Sequence, residues 1–550
     1  MALLALCLAS MQCGGARTPP EVPVREVFTE TADAAGLRFA HANGASGRWY
    51  MPEIVGSGGG FLDYDNDGWL DAYLVQCGPL PGAADQTPNP NRLFHNNGDG
   101  TFTDVTEASG AGDIGYGQGC AFGDVDNDGD VDIYCANVGP NRLYLNNGNG
   151  TFTDVTARAG VGDPGWSTSC AFADYDGDGY LDLYVVNYLE YSFDKNVLCG
   201  ARNNPEYCGP DAYPGAPDVL YHNNGDGTFT DVTRKAGVSI DDPAQGKGLG
   251  IVWFDYDDDG DPDAFIANDS TASFLFRNNG DGTFRNVAVE AGCAFNERGM
   301  TEAGMGVDAG DVDRDGRLDI FVTHLNNETN TLYRNLGSGA FEDYTAASGA
   351  GPPSLPMVGF GTGLLDFDND GDLDVFVTNG RISRDPTPRD PSSPYSQPAQ
   401  LLENNGAGRF ADVSSKSGAF FQTVWVGRGT AFGDIDNDGD VDVLVMNNNQ
   451  RAVLLKNEVG SQKHWITLKV LDRRNRDAIG ARVTVTAGDL VQVAEVRAGA
   501  SYESQNDTRL HFGLGDHATV DRIQVRWRDG HVSDVPVELR TANRIVTIRE

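Results

Sequence analysis

Seven copies of Asp-x-Asp-x-Asp-Gly-x-x-Asp, a second phrase repeated between them, and a strand-like segment displaced to the start of the chain predict an all-β fold. The expected architecture is a seven-bladed β-propeller followed by a small β-sandwich-like C-terminal domain. The loops begin at Asp63, Asp124, Asp174, Asp255, Asp311, Asp366 and Asp434, with Asp at positions 1, 3, 5 and 9 and glycine at position 6 in every copy. Oxygens at this spacing suit a hard divalent cation, and the turn at position 6 needs positive φ.

Each loop is therefore expected to hold one Ca2+, up to seven in all. The ligands are four carboxylates and the backbone carbonyl at position 7. In the first three loops these are Asp63, Asp65, Asp67, Trp69 and Asp71; Asp124, Asp126, Asp128, Asp130 and Asp132; and Asp174, Asp176, Asp178, Tyr180 and Asp182. The next two offer Asp255, Asp257, Asp259, Asp261 and Asp263, then Asp311, Asp313, Asp315, Arg317 and Asp319. The last two offer Asp366, Asp368, Asp370, Asp372 and Asp374, then Asp434, Asp436, Asp438, Asp440 and Asp442. An EF-hand loop would close with Glu at position 12 between helices. Here position 12 is Leu74 or Cys135, inside runs such as Leu70 to Val75 that read as strands.

The second phrase, Asn91 to Thr106, is echoed from Asn141, Val219, Phe274, Thr331 and Leu401. Its Asn-Gly-Asp-Gly core between apolar runs signals a hairpin. One repeat thus reads as four strands, the first two joined by the Asp loop and the last two by the Asn-Gly turn. The seventh repeat stops at Val453 to Asn457 without its last strand, and Val27 to Thr31 supplies the missing pattern. That strand is expected to close the ring and remove its exposed edges.

Strand alternation puts both hairpins on one face. The long insertions, Ala40 to Gly59, Cys77 to Pro90, Tyr188 to Asp218 and Arg381 to Gln400, fall on the other, the usual place for recognition. Residues 461–550 carry 14 basic and 12 acidic side chains, so the net charge of −40 belongs to the preceding repeats. Alternating runs at Trp465 to Val470, Ala481 to Thr486, Val520 to Trp527 and Arg544 to Ile548 predict a separate β domain.

Residues 1–20 read as a secretory signal, with Cys13 a possible lipid anchor, residues 25–459 as the propeller and 461–550 as the C-terminal domain. No segment reaches transmembrane length, and the acidity excludes a nucleic-acid partner. The predicted compartment is extracytoplasmic: secreted, periplasmic or cell-surface. Cys199 and Cys208 frame a tight loop and are the best disulfide candidates. Cys77, Cys120, Cys135, Cys170 and Cys293 cannot be paired from sequence.

The Asp loops with phrases such as Ala121-Phe122-Gly123-Asp124 resemble the FG-GAP (VCBS-type) repeats of integrin α-chain propellers. Tyr50-Met51-Pro52-Glu53, Trp166-Ser167-Thr168-Ser169, Tyr207-Cys208-Gly209-Pro210 and Met305 to Asp311 resemble the cartilage acidic protein family and its bacterial relatives. In the tail, Asn475 to Arg482, Ser504-Gln505-Asn506 and Leu510 to Gly515 resemble the ASPIC/UnbV domain. The resemblance implies a secreted, calcium-binding propeller without an established reaction.

No His-Glu-x-x-His pair, Gly-x-Ser-x-Gly elbow or phosphate loop is present. The expected function is recognition or adhesion toward an extracellular protein or glycan, not catalysis. The alternative is an extracytoplasmic hydrolase or lyase acting on polysaccharide or lipid. It requires an acid, base and aromatic cluster on the insertion face, for which His41, Trp49, Glu53, Tyr191, Tyr207, Tyr213, His324 and Glu328 are the candidates.

Overall fold

The computed structural model describes residues 26–201, 203–240, 242, 244–382 and 395–550. The signal segment and Cys13 lie outside this range, as does most of the Arg381 to Gln400 insertion. Among the described residues seven four-stranded antiparallel sheets make up the ring. Blade 1 comprises Gly59–Leu62, Asp71–Leu74, Arg92–Asn96 and Phe102–Asp104, in that spatial order from the centre outward. The innermost strand of each blade touches those of both neighbours, and Gly59–Leu62 touches Gly427–Gly433, so the ring is closed.

Closure uses the displaced strand. Phe28–Glu30 pairs with Val453–Asn457, Phe28 opposite Asn457 and Glu30 opposite Leu455, as the outer strand of blade 7. Phe28 is fully buried against Phe376 and Phe421.

A second seam is built from one Asn near the end of each third strand. Asn96, Asn146, Asn223, Asn278, Asn335, Asn404 and Asn457 donate through Nδ2 to the carbonyls of Ile435, Tyr64, Val125, Tyr175, Tyr256, Val312 and Phe367, all at 2.7–2.8 Å. Each acceptor is the position-2 residue of the preceding blade's Asp loop, so one buried amide per blade stitches it to its neighbour. Replacing Asn278 by Ala strands the carbonyls of Tyr175 and Pro262. An unpaired buried polar group costs about 1–3 kcal/mol. Denaturant unfolding is expected to show that loss for Asn278→Ala and little change for Asn279→Ala, whose side-chain amide meets only Thr283 Oγ1 and the Arg277 guanidinium in exposed hydrogen bonds.

The C-terminal domain is a two-layer sandwich. One sheet orders Leu510–Gly515, His464–Leu471 and Arg544–Arg549; the other orders Leu490–Glu495, Arg482–Ala487, Arg522–Arg526 and Val532–Asp534. Ile466, Leu468, Val483, Val485, Leu514, Ile523 and Val525 fill the space between them. The domain is not separate from the ring, because residues 498–505 enter its centre. Ala498 bridges to Phe172, Ser501 to Val307 and Gln505 to Gly60, three different inner strands.

From the opposite face the Met51–Ile54 turn enters the same channel, and Tyr502 Oη donates to the Val55 carbonyl at 3.2 Å. Fully buried Arg428 ties this turn to the ring, donating to the Ile54 carbonyl at 2.7 and 3.0 Å. Burial pushes the Glu503 carboxyl up to about 8, with Arg428 pulling the other way. The inner strands need glycine here: a Cβ on Gly119 would lie 2.3 Å from the Thr168 carbonyl oxygen. The axis of the ring is thus filled by the chain's own residues.

Candidate functional site

The seven Asp loops share one geometry. Their position-6 glycines have φ between 86° and 97°, which an L side chain adopts only with strain. The amide of each donates to the position-1 carboxylate, from Gly68 to Asp63 at 3.2 Å through Gly439 to Asp434 at 3.0 Å. Position 9 is buried and anchored at both oxygens. Asp132, for example, accepts from the amides of Val125 and Asn146, each at 2.8 Å. The side chains at position 7 lie over the Asn-Gly turn of the same blade, as Trp69 does over Gly98 and Tyr180 over Gly225. Both hairpins therefore share one face.

Positions 3 and 5 complete an oxygen-lined concavity. Single oxygens of Asp63, Asp65 and Asp67 lie within 4.8 Å of one another, as do those of Asp124, Asp126 and Asp132. Several are buried with no donor facing them, including Oδ1 of Asp63, Asp257, Asp313 and Asp436. Burial pushes Asp71 up to about 8 and Asp182, Asp311 and Asp434 to about 7. A carboxylate cage that resists holding its own negative charge fits a hard divalent cation.

Position 4 carries a role that the Asp pattern does not disclose. Asn66, Asn127, Asn369 and Asn437 sit at φ between 56° and 66°, and their amides reach the carbonyls of Gly129, Gly179, Gly439 and Gly68 in the next loop. Asn tolerates this backbone better than most side chains. That preference is the one signal in the sequence that could have found them.

The face carrying these loops is covered. The C-terminal domain reaches all seven: Lys469 contacts Asp63, Arg476 contacts Asn127 and the Gly179 carbonyl, and Arg528 approaches Asp174 at 3.9 Å. Arg526 pairs with Asp255 at 2.7 Å, and Arg482 reaches the Gly316 carbonyl at 2.8 Å. His511 meets Asn369 at 2.6 Å, and Arg509 donates to the Asp434 carbonyl at 2.8 Å. The domain's basic side chains thus face the acidic rim, leaving a cleft of about 940 Å³ beside loops 1 to 3.

The opposite face carries the described insertions, and a Cys199–Cys208 disulfide closes a loop within the Tyr188 to Asp218 one. The remaining five described cysteines are free and buried. Five of the eight residues singled out from sequence converge here. Trp49 packs edge-on against Tyr207 at 5.0 Å, and Tyr207 Oη donates to Glu53 Oε2 at 2.7 Å. Asn196 accepts from Tyr191 Oη and donates to the Trp49 carbonyl, while Tyr191 and Tyr213 pair at 5.3 Å. Trp49 has φ 58°, a strained backbone for a bulky residue and a pointer toward function.

The other three lie outside this cluster. His41 contacts Cys77 Sγ at 3.3 Å and accepts from the Asn449 amide. His324 is buried against the Thr329 carbonyl, and Glu328 caps the Ala303 amide. Tyr213, only 8% exposed, donates no free surface, and Tyr191 packs between Trp166, Phe193 and Tyr213. These two tyrosines are therefore packing residues rather than contact residues, because the loop folds its rings inward onto the channel cover.

The chain belongs to the FG-GAP-like repeat family, which it matches over residues 63–135, 124–185, 207–266, 255–322, 311–377 and 366–445. Residues 471–550 match the ASPIC and UnbV domain. It is similar to cartilage acidic protein 1 of Mus musculus, 26% identical over 362 residues that cover 62% of this chain and 50% of the relative. The Homo sapiens protein is 26% identical over 62% of this chain and 49% of its own. The chain thus spans about half the length of these curated relatives. Among solved structures, an Agrocybe aegerita lectin that recognises non-reducing terminal N-acetylglucosamine aligns over 65% of this chain and 79% of its own, at 17% identity and a TM-score of 0.36. No helix among the described residues is long and apolar enough to cross a membrane.

Proposed function

We propose that the protein is an extracytoplasmic, calcium-stabilised recognition module that binds an extracellular protein or glycan through its insertion face. In this reading the seven Asp loops hold Ca2+ through positions 1, 3, 5 and 9 and the position-7 carbonyl, and calcium serves the fold and the seat of the C-terminal domain. One observation carries the choice of face. The C-terminal domain covers the Asp-loop side and chain segments fill the axis, whereas the insertion side presents Trp49 on Tyr207 beside exposed Val197 and Leu198, 41% and 57% accessible.

The disulfide and the Asn196 hydrogen bonds order this surface in advance, so binding forfeits less entropy. Glu53 favours recognition over hydrolysis: its oxygens accept from the amides of Ser46 and Tyr50 and from Tyr207, leaving it a structural anchor.

The test is a glycan and protein-surface binding screen of the calcium-loaded chain, repeated with Trp49→Ala and Leu198→Asp. Each variant is expected to weaken the binding found by at least about tenfold, the order of one interface hot spot, with calcium-dependent melting unchanged. Binding that survives both, but is lost when a still-folded variant lacks the C-terminal domain's basic side chains, places recognition on the opposite face.

A further inference from the structure

The residue preceding the stitching asparagine in each third strand points at the Asp loop of its own blade. In blades 4, 5 and 7 it is Arg277, Arg334 or Lys456, and Arg334 and Lys456 form ion pairs with loop carboxylates. Blades 2 and 6 have Leu145 and Glu403. Blades 1 and 3 alone have histidine there.

His95 Nδ1 lies 3.4 Å from Asp65 Oδ2 and 3.2 Å from Asp71 Oδ1. His222 Nδ1 lies 3.3 Å from Asp176 Oδ2 and 3.2 Å from Asp182 Oδ1. Both nitrogens are buried, at carboxylate distances longer and less well aligned than a good hydrogen bond. Each ring stands edge-on to the tyrosine at loop position 2, Tyr64 at 6.0 Å and Tyr175 at 6.3 Å, which fixes its direction. Donor atoms held at about 2.1 Å from one first-row ion lie roughly 3.0 to 3.4 Å from each other. The nitrogen decides the class, since calcium takes oxygen ligands whereas imidazole suits zinc and its neighbours.

We propose that loops 1 and 3 are mixed nitrogen and oxygen sites that bind Zn2+ through Asp65, Asp71 and His95 and through Asp176, Asp182 and His222. In calcium alone the same loops fill through their oxygens, and zinc displaces calcium from these two and not from the other five. A third imidazole and carboxylate group, Asp529, His531 and Glu550, is no equal candidate: Arg473 already contacts both of its carboxylates.

The experiment uses the full chain, loaded with calcium, exposed to zinc chloride and desalted, with metal content and zinc-edge X-ray absorption as readouts. Two zinc ions per chain are expected, each with one imidazole nitrogen. His95→Gln or His222→Gln alone should retain one zinc, and the double variant none, with zinc affinity at each altered site down at least tenfold. His531→Gln should keep two. The melting temperature in calcium, unchanged in every variant, confirms folding. Zinc that is not retained, zinc bound equally by the double variant, or an all-oxygen absorption signature each overturns the proposal. The contacts are then histidine–carboxylate contacts without metal.

Discussion

The metal-stripped chain is expected to lose stability as pH rises from 4 to 8, opposite to the behaviour of a protein held by salt-bridged carboxylates. Asp71 is pushed up to about 8, and Asp182, Asp311 and Asp434 to about 7, all by burial. In the unfolded chain the same groups ionise near 4. Between these values the folded state binds more protons than the unfolded one, so the stability present below pH 4 drains away as the folded groups ionise.

Calcium bound as proposed is expected to reverse the sign, with the ionised carboxylates as its ligands. At a free concentration of 100 times its dissociation constant, each site adds about 2.7 kcal/mol. Several such sites together exceed the whole net stability of a typical domain, about 5–15 kcal/mol. Melting curves at pH 5, 6.5 and 8 check this. The stripped chain should be least stable at pH 8 and the loaded chain should gain most there; equal melting with and without calcium at pH 8 would refute it.

Deleting residues 26–36 is expected to produce aggregation rather than a slightly weaker propeller. Phe28–Glu30 covers the edge of Val453–Asn457, and the deletion also removes Ala32 and Ala35 from the core between blades 7 and 1. An unpaired edge strand is a template for other chains. Restoring Phe28 to Thr31 as a C-terminal extension is not equivalent, since the C-terminal domain intervenes. The readout is size-exclusion chromatography in calcium, where the deletion should leave the monomer peak. A monomeric, cooperatively melting deletion would mean that the ring does not depend on this seam.

The parts of this molecule that repeat were legible. Four Asp and one Gly at fixed spacing announced seven blades, and the displaced Val27 to Thr31 announced how they close, because both are periodic signals with one geometric solution. The parts used once were not. Ala498 to Gln505 reads as a small, polar loop, and nothing in its composition shows that it fills the ring's centre.

Likewise the +2 charge of the tail conceals that Lys469, Arg476, Arg482, Arg509, Arg526 and Arg528 gather on one side, against loops scattered from Asp63 to Asp442. Complementarity of that kind exists only after folding. The insertion face was located correctly by strand alternation, but Tyr191 and Tyr213 proved to be inward-facing. Sequence cannot tell which side of a loop its rings will take. His95 and His222 look scattered in the chain and meet their carboxylates only through the pairing of second and third strands.

Calcium content of the full chain, equilibrated in calcium alone and measured after removal of free metal, tests the central claim most directly. The loops, alike in backbone and in their four carboxylates, predict a stoichiometry near seven, falling toward five when zinc is added. One calcium or fewer per chain would contradict the assignment of the Asp loops as metal sites.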